Sequence, residues 1–145
     1  MAFRGQHEHS LDSKDRLTVP SKFREGLAEG VVLSKGPDAC LWMMTDQAFQ
    51  EIEDDYIKTH SPFGATARDL RRVFNSSAEE GELDSAGRVR IPKNLIKDAG
   101  LEGECAVIGA GDYVEIWNAE AWKKEDERLK GSFAEIAEGL SGAPE

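Results

Sequence analysis

The chain reads Leu11-Asp12-Ser13-Lys14-Asp15-Arg16-Leu17-Thr18-Val19-Pro20, and 72 residues later it reads Leu83-Asp84-Ser85-Ala86-Gly87-Arg88-Val89-Arg90-Ile91-Pro92. Five of the ten positions are identical. Leu17 and Val19 become the similar residues Val89 and Ile91, so the repeat keeps one apolar face together with an Asp-x-x-x-Arg pattern. The match preserves packing and polar chemistry together, which predicts that one structural module occurs twice.

The segments that follow the two copies support the duplication, because they come in the same order. Each copy continues with a short helical stretch after its proline, two apolar strand-like runs and a charged helical stretch. The strand-like runs lie at residues 31–34, 40–44, 104–109 and 112–117. Insertions of a few residues shift the offset between the copies, as expected in loops.

Each copy of the motif has the composition of a strand, a turn and a second strand. Residues 2–11 alternate between two faces, residues 12–15 have turn composition and residues 16–19 alternate again. Gly87 can supply a left-handed backbone position, and Asp15 takes its place in the first copy. We expect each copy to begin with a hairpin-like unit.

Helices are predicted from local signals. Pro20 and Pro92 suit the start of a helix, because proline has a fixed φ and its missing amide would be unpaired there. Gly100 suits the end of the second of these helices. Thr45 and Asn118 are capping residues ahead of amphipathic stretches.

The composition is that of a soluble protein. Its 145 residues suffice for one domain, or for two half-size modules that share a core. No apolar run approaches the roughly 20 residues that cross a bilayer, and no secretory signal pattern is visible. We therefore expect a cytoplasmic protein without a membrane partner, in which Cys40 and Cys105 are buried free thiols.

The net charge of -10 is unevenly distributed. Residues 1–24 sum to +2 and residues 61–92 to 0, whereas the rest of the chain sums to -12. The repeated motifs therefore lie in the least acidic segments. Because the local field determines a contact with DNA, this distribution is compatible with a nucleic-acid partner.

Order, spacing and duplication resemble those of a known family. The residues that carry the likeness are Phe3-Arg4-Gly5, residues 11–20, Phe23-Arg24, residues 83–88, Ile91-Pro92, Ala99-Gly100-Leu101 and Glu115-Ile116-Trp117. They resemble the MraZ family of bacterial transcriptional regulators, which are double-module relatives of the AbrB-type (SpoVT-AbrB) DNA-binding fold. The likeness spans roughly residues 2–130, and the family usually has Gly where this chain has Asp15.

The resemblance implies an α+β fold with duplicated AbrB-like swapped-hairpin β modules. Each module has short helices, and a pseudo-two-fold axis relates the modules within one chain. We predict a first module at residues 1–60, a linking helix at 61–76, a second module at 77–130 and a mobile acidic tail at 131–145.

The resemblance also implies a function. The chain would be a nucleoid-associated, sequence-specific DNA-binding regulator that represses the division and cell-wall operon containing its own gene. A ring-like homo-oligomer would bind short direct repeats in the promoter DNA. No cofactor, metal or small-molecule substrate is expected.

The Arg of the repeated motif is implicated in DNA contact in that family, which corresponds to Arg16 and, by the internal repeat, to Arg88. Further candidates for DNA contact are Lys14, Arg4, Lys22 and Arg24. The turns are predicted to be shaped by Asp12, Asp84, Asp15 and Gly87. An ion pair of each motif Arg with the Asp of its own turn is a second open role, compatible with the first.

Two other function classes are open to such a chain. An antitoxin-like protein of the same fold would neutralise a partner protein, although the second module occupies the place of a long recognition segment. A metal-dependent enzyme would use His7 and His9, which share one face of a strand but lack a visible third ligand. Since no nucleophile has a matching base, we predict that the protein is not an enzyme.

Overall fold

The computed structural model describes residues 2–141, and this part of the chain has an α+β fold with two antiparallel sheets. Its strands are β1 (Phe3–Ser10), β2 (Arg16–Thr18), β3 (Val31–Lys35), β4 (Cys40–Met44), β5 (Glu79–Gly81), β6 (Arg88–Arg90), β7 (Glu104–Gly111) and β8 (Val114–Asn118). Its α-helices are α1 (Ser21–Arg24), α2 (Asp46–Ile52), α3 (Ala65–Ser76), α4 (Lys93–Ala99) and α5 (Ala119–Gly139). A 3-10 turn follows α1 and a π-helical segment follows α2. The α+β fold class predicted from the sequence is confirmed.

The larger sheet interleaves strands of the two repeats in the order β1-β7-β8-β4-β3-β5. The first strand of each repeat pairs with a strand of the other repeat, β1 with β7 and β5 with β3. The equivalent strands β4 and β8 pair with each other in the middle. The strand order is therefore symmetric. If each strand is replaced by the equivalent strand of the other repeat, the same order results when the sheet is read from the opposite edge.

The prediction that the first copy begins with a hairpin-like unit is wrong about which strands pair. β1 and β2 share only an isolated bridge between Leu11 and Leu17. β2 instead pairs antiparallel with β6 of the second repeat and forms the small two-stranded sheet. The alternation of a strand predicts which face is buried but does not identify the strand beside it.

The two-stranded sheet is anchored by its inward face. Leu17 and Val89 lie opposite each other and are almost completely buried. They join the main hydrophobic core, which includes Phe23, Leu33 and Leu95. The helices that follow the prolines thus pack on the same core as the two strands.

The predicted helix ends are confirmed where capping signals marked them. Thr45 accepts a hydrogen bond from the Ala48 amide, and Asn118 accepts from the amides of the first turn of α5. Gly100 ends α4 with a left-handed φ of 61°. α1 and α4 begin directly after Pro20 and Pro92.

The last helix differs from the sequence prediction. The tail was expected to begin at residue 131, but α5 continues without a break to Gly139. Gly131 lies inside this helix, and no atom lies within 4 Å of the position that an added Cβ would take. The final residues of the predicted tail, 142–145, lie outside the described residues.

Both cysteines are buried as free thiols, as predicted. Burial raises the pKa of the Cys105 thiol to about 11, and burial also raises the pKa of Cys40. Across residues 2–141, no helix has both the length and the apolar character that a membrane span requires.

Candidate nucleic-acid interface

The first Asp-x-x-x-Arg stretch forms a turn that is organised by one carboxylate. Asp12 Oδ1 accepts from the amides of Lys14 and Arg16, at 2.8 and 2.9 Å. Its Oδ2 accepts from the Arg16 Nε at 2.8 Å. The carboxylate therefore fixes the backbone of the turn and the direction of the guanidinium at the same time.

The second turn repeats this geometry closely. Asp84 Oδ1 accepts from the amides of Ala86 and Arg88, both at 2.9 Å. Its Oδ2 accepts from the Arg88 Nε at 2.9 Å. The ion pairs that the sequence left as one open role for the two arginines are confirmed.

Each turn contains one residue in the left-handed region. Asp15 has a φ of 61° and Gly87 has a φ of 76°. The carbonyl of Asp15 accepts from the Ile91 amide, and that of Gly87 from the Val19 amide, each at 2.8 Å. Each turn is therefore fastened to the end of the other repeat's strand, which couples the two turns through β2 and β6.

Asp15, where the related family usually has Gly, does not face the motif arginine. Its carboxylate lies 3.1 Å from the Lys93 Nζ at the start of α4. Asp15 therefore acts as a turn residue with its own cationic partner and leaves Arg16 to Asp12.

The outward face of the small sheet, which we call the ribbon face, consists of Arg16, Thr18, Arg88 and Arg90. Arg16 lies opposite Arg90, and Thr18 lies opposite Arg88. Because neighbouring residues of a strand point to opposite sides, these four lie on the side away from buried Leu17 and Val89. Three of the four ribbon-face residues are arginines.

The motif guanidiniums are held in place and yet accessible. The side chains of Arg16 and Arg88 are 28% and 35% exposed. Within residues 2–141, their side-chain hydrogen bonds involve Nε alone. The terminal nitrogens of each planar fork are the donors that suit a phosphate or a guanine edge.

The electrostatics of the turns keep both carboxylates ionised. The hydrogen bond from the Arg16 amide holds the pKa of Asp12 below its usual value, and the Lys14 amide and the guanidinium act in the same direction. The Arg88 amide lowers the pKa of Asp84 in the same way. The ion pairs therefore persist at neutral pH.

The other predicted DNA-contacting cations do not lie on the ribbon face. Lys14 is exposed in the first turn, and Arg24 donates from Nε to the Val19 carbonyl at 2.9 Å beside the second turn. Lys22 is exposed on α1. Arg4 belongs to β1, which pairs with β7 in the larger sheet. Their contact with DNA stays a prediction.

Sequence reasoning missed two cations of this region, Arg90 and Lys93. The alternation in Arg88-Val89-Arg90 was the available signal, since a period of two places both arginines on one side of a strand. Arg90 is exposed and forms no ion pair with any residue in 2–141. Lys93 is nearly fully exposed, and among residues 2–141 its one ion-pair partner is Asp15.

The histidines of β1 lie elsewhere. His7 packs edge-on against Phe23, with ring centroids 5.2 Å apart. Burial, the nearby Lys22 and His9 lower its pKa. In the described part of the chain, no group of three or more His, Cys, Asp or Glu side chains is arranged to hold a metal ion.

Comparison with known families decides the affiliation. A family model described as "MraZ protein, putative antitoxin-like" matches the chain twice in tandem, at residues 2–73 and 74–142. The chain belongs to the MraZ family. The two matches cover both turns, so each MraZ-type unit contributes one Asp-x-x-x-Arg motif, and the resemblance stated from the sequence is confirmed. The boundary between the units falls inside α3.

Proposed function

We propose that this MraZ-family protein is a sequence-specific DNA-binding transcriptional regulator that acts from the nucleoid in the cytoplasm. It represses the division and cell-wall operon that contains its own gene, and it binds short direct repeats in that promoter as a multivalent homo-oligomer. It is a binding protein rather than an enzyme. The observation that carries the proposal is the ribbon face, with Arg16 and Arg88 aimed by Asp12 and Asp84.

The shape and charge of the ribbon face support DNA as the ligand. A two-stranded β-ribbon fits the major groove of B-DNA, where Arg reads guanine through two hydrogen bonds. The cross-strand pair Arg16 and Arg90 sets two cations opposite each other, an arrangement that costs stability in a free protein. An anionic partner would offset this repulsion, which favours the bound state.

The decisive experiment is a fluorescence anisotropy titration with duplex DNA from upstream of the protein's own gene. We expect Arg16→Ala to weaken binding by about 10-fold or more, because it removes a preorganised Arg contact. Arg128→Ala is the matched control, since Arg128 pairs with Glu125 on α5. Equal affinity of the two variants, or a binding constant that hardly changes with salt, would refute the proposal.

Two exposed apolar surfaces support the homo-oligomer. The first is a stripe formed by Phe133 and Ile136 on one face of α5 and by Leu140 directly after the helix; these side chains are 76%, 44% and 85% exposed. The second is a groove of about 490 Å³ beside α3, lined by Trp42, Tyr56, Leu70, Val73, Phe74 and Tyr113. Large exposed apolar surfaces of this kind mark interaction sites.

The occupant of the groove is the α5 stripe of a second copy. Both surfaces are apolar, so a contact between them would remove both from water. Because the stripe and the groove are different surfaces of one chain, the contact is head-to-tail and can close into a ring.

Light scattering coupled to size exclusion tests this contact. We expect Phe133→Asp and Leu70→Asp each to reduce the assembly towards a single chain. Phe63→Asp is the control, because Phe63 is 90% exposed and lines neither surface. A wild-type protein that runs as a monomer, or variants that assemble normally, would overturn the oligomer part of the proposal.

The antitoxin-like alternative is favoured by the description of the matching family. Such a protein would use the same fold to neutralise a partner protein. Co-expression with the products of adjacent genes tests it: a growth-inhibiting neighbour that this chain silences through a stable complex would establish that function. Neutralisation that persists in Arg16→Ala would separate it from DNA binding.

A further inference from the structure

The two halves of the ribbon face differ at one pair of equivalent positions. The internal repeat relates Arg16 to Arg88 and Thr18 to Arg90. The register reproduces this relation, because Arg16 pairs with Arg90 and Thr18 with Arg88 around the central Leu17 and Val89 pair. The motif arginines are thus symmetric, whereas the third arginine is present on one side only.

A two-fold symmetric protein surface reads a palindromic site. The ribbon face is not two-fold symmetric, because the outward side chains at its two ends differ. One end carries Arg16 and Arg90 side by side, and the other end carries Arg88 next to the short hydroxyl side chain of Thr18. Arg can bond both O6 and N7 of a guanine, whereas Thr offers a single hydroxyl that discriminates weakly.

The cations beside the turns do not create this difference. Lys14 and Lys93 flank the end with Arg90, and Arg24 flanks the end with Thr18, where it lies beside Gly87. Both ends therefore offer cations to phosphates, which position a protein on the duplex without reading its sequence. The polarity must come from the ribbon face itself.

We infer that Arg90 is a specificity-determining residue that makes the ribbon face read a non-palindromic DNA site, with an additional guanine contact at the end where Arg90 lies opposite Arg16. This inference rests on the proposed DNA-binding function. The free state of Arg90 supports it, since this exposed guanidinium has no acidic partner within residues 2–141.

In vitro selection from a random duplex library tests the inference with the full chain. The wild type is expected to enrich a motif that differs from its own reverse complement. Arg90→Thr makes positions 18 and 90 alike, so its motif should lose the extra guanine and become two-fold symmetric there. Its affinity for the wild-type motif should fall by about 10-fold.

Thr18→Arg is the matched opposite change. It also makes the two positions alike, and it should enrich a motif with the additional guanine at both ends. Circular dichroism spectra equal to those of the wild type would verify that both variants fold, since both positions lie on the outward face.

The possible outcomes distinguish a failure of this inference from a failure of the proposed DNA-binding function. If the wild type enriches no duplex, the proposed DNA-binding function fails. If the wild type enriches a palindrome, or if Arg90→Thr keeps the wild-type motif and affinity, DNA binding stands and the role of Arg90 is refuted.

Discussion

The guanidinium of Arg24 occupies the space beside Gly87 that a Cβ atom would need. Arg24 belongs to the first repeat and Gly87 to the turn of the second, so the contact ties the repeats together. The Arg24 Nε is held there by its hydrogen bond to the Val19 carbonyl. Gly suits the φ of 76°, which lies in the left-handed region that Asp15 also adopts in the first turn, and it leaves room for the close approach of the Arg24 side chain.

Gly87→Ala is expected to destabilise the fold by about 1–2 kcal/mol, because it strains the left-handed backbone and displaces Arg24. Gly103→Ala is the matched control. Gly103 has a similar φ of 63° but no atom within 4 Å of an added Cβ, so it reports backbone strain alone. In a double-mutant cycle measured by urea unfolding, Arg24→Ala should couple to Gly87→Ala and not to Gly103→Ala.

The contact between β1 and β7 requires glycine at position 109. A Cβ added there would overlap the backbone of Phe3 and Arg4. Gly109→Ala should therefore lower the free energy of unfolding by about 1–3 kcal/mol or more, since a paired strand cannot move aside cheaply. Gly131→Ala should instead raise it by up to about 1 kcal/mol, because this position is an open helix interior. Equal effects of the two changes would contradict this account of the sheet.

The half-buried His7 should make stability depend on pH. Burial, Lys22 and His9 lower its pKa, and its Nε2 has no hydrogen-bond partner within the described residues. The His7 imidazole therefore binds a proton less readily in the folded state than in the unfolded state. The stabilising contribution is complete above the unfolded pKa of about 6.5 and is lost as the pH falls below it.

Urea titrations at pH 7.5 and pH 5.5 measure this loss. The decrease in unfolding free energy should become smaller in His7→Phe, which keeps an aromatic ring against Phe23. His60→Gln should behave like the wild type, because His60 is exposed. A pH dependence that is unchanged in His7→Phe would show that another group is responsible.

The two thiols should be unreactive in the folded protein. Cys40 and Cys105 are 3% and 0% exposed, and burial raises the pKa of both. At pH 8, iodoacetamide should therefore modify them far more slowly in buffer than in denaturant. Mass spectrometry of the modified chain follows both sites at once. Rapid labelling of either cysteine in buffer would contradict its burial.

Much of the local structure was predictable from the sequence, and the reasons can be named. Thr45, Asn118 and Gly100 mark helix ends through short-range hydrogen bonds and backbone geometry, so each signal lies within a few residues of its effect. The Asp12 and Arg16 pairing is equally local. The family affiliation followed from the repeat of these local signals in a fixed order.

Partner strands and extended surfaces were harder to predict. No local sequence signal indicates that β1 pairs with β7 rather than with β2, because pairing depends on the whole core. Gly131 suggested the end of the ordered chain, although Phe133 and Ile136 continue the helical spacing of α5. Arg90 was overlooked because its repeat mate is Thr18, and only the register places it beside Arg16.

The exchange of first strands between the repeats has a consequence for biosynthesis. Phe3 is translated well before its partner Gly111, which belongs to the other repeat. Contacts this distant in sequence form slowly, and an unpaired strand edge invites association with other chains. The nascent polypeptide therefore carries an open strand edge until both repeats have emerged and the sheet can close.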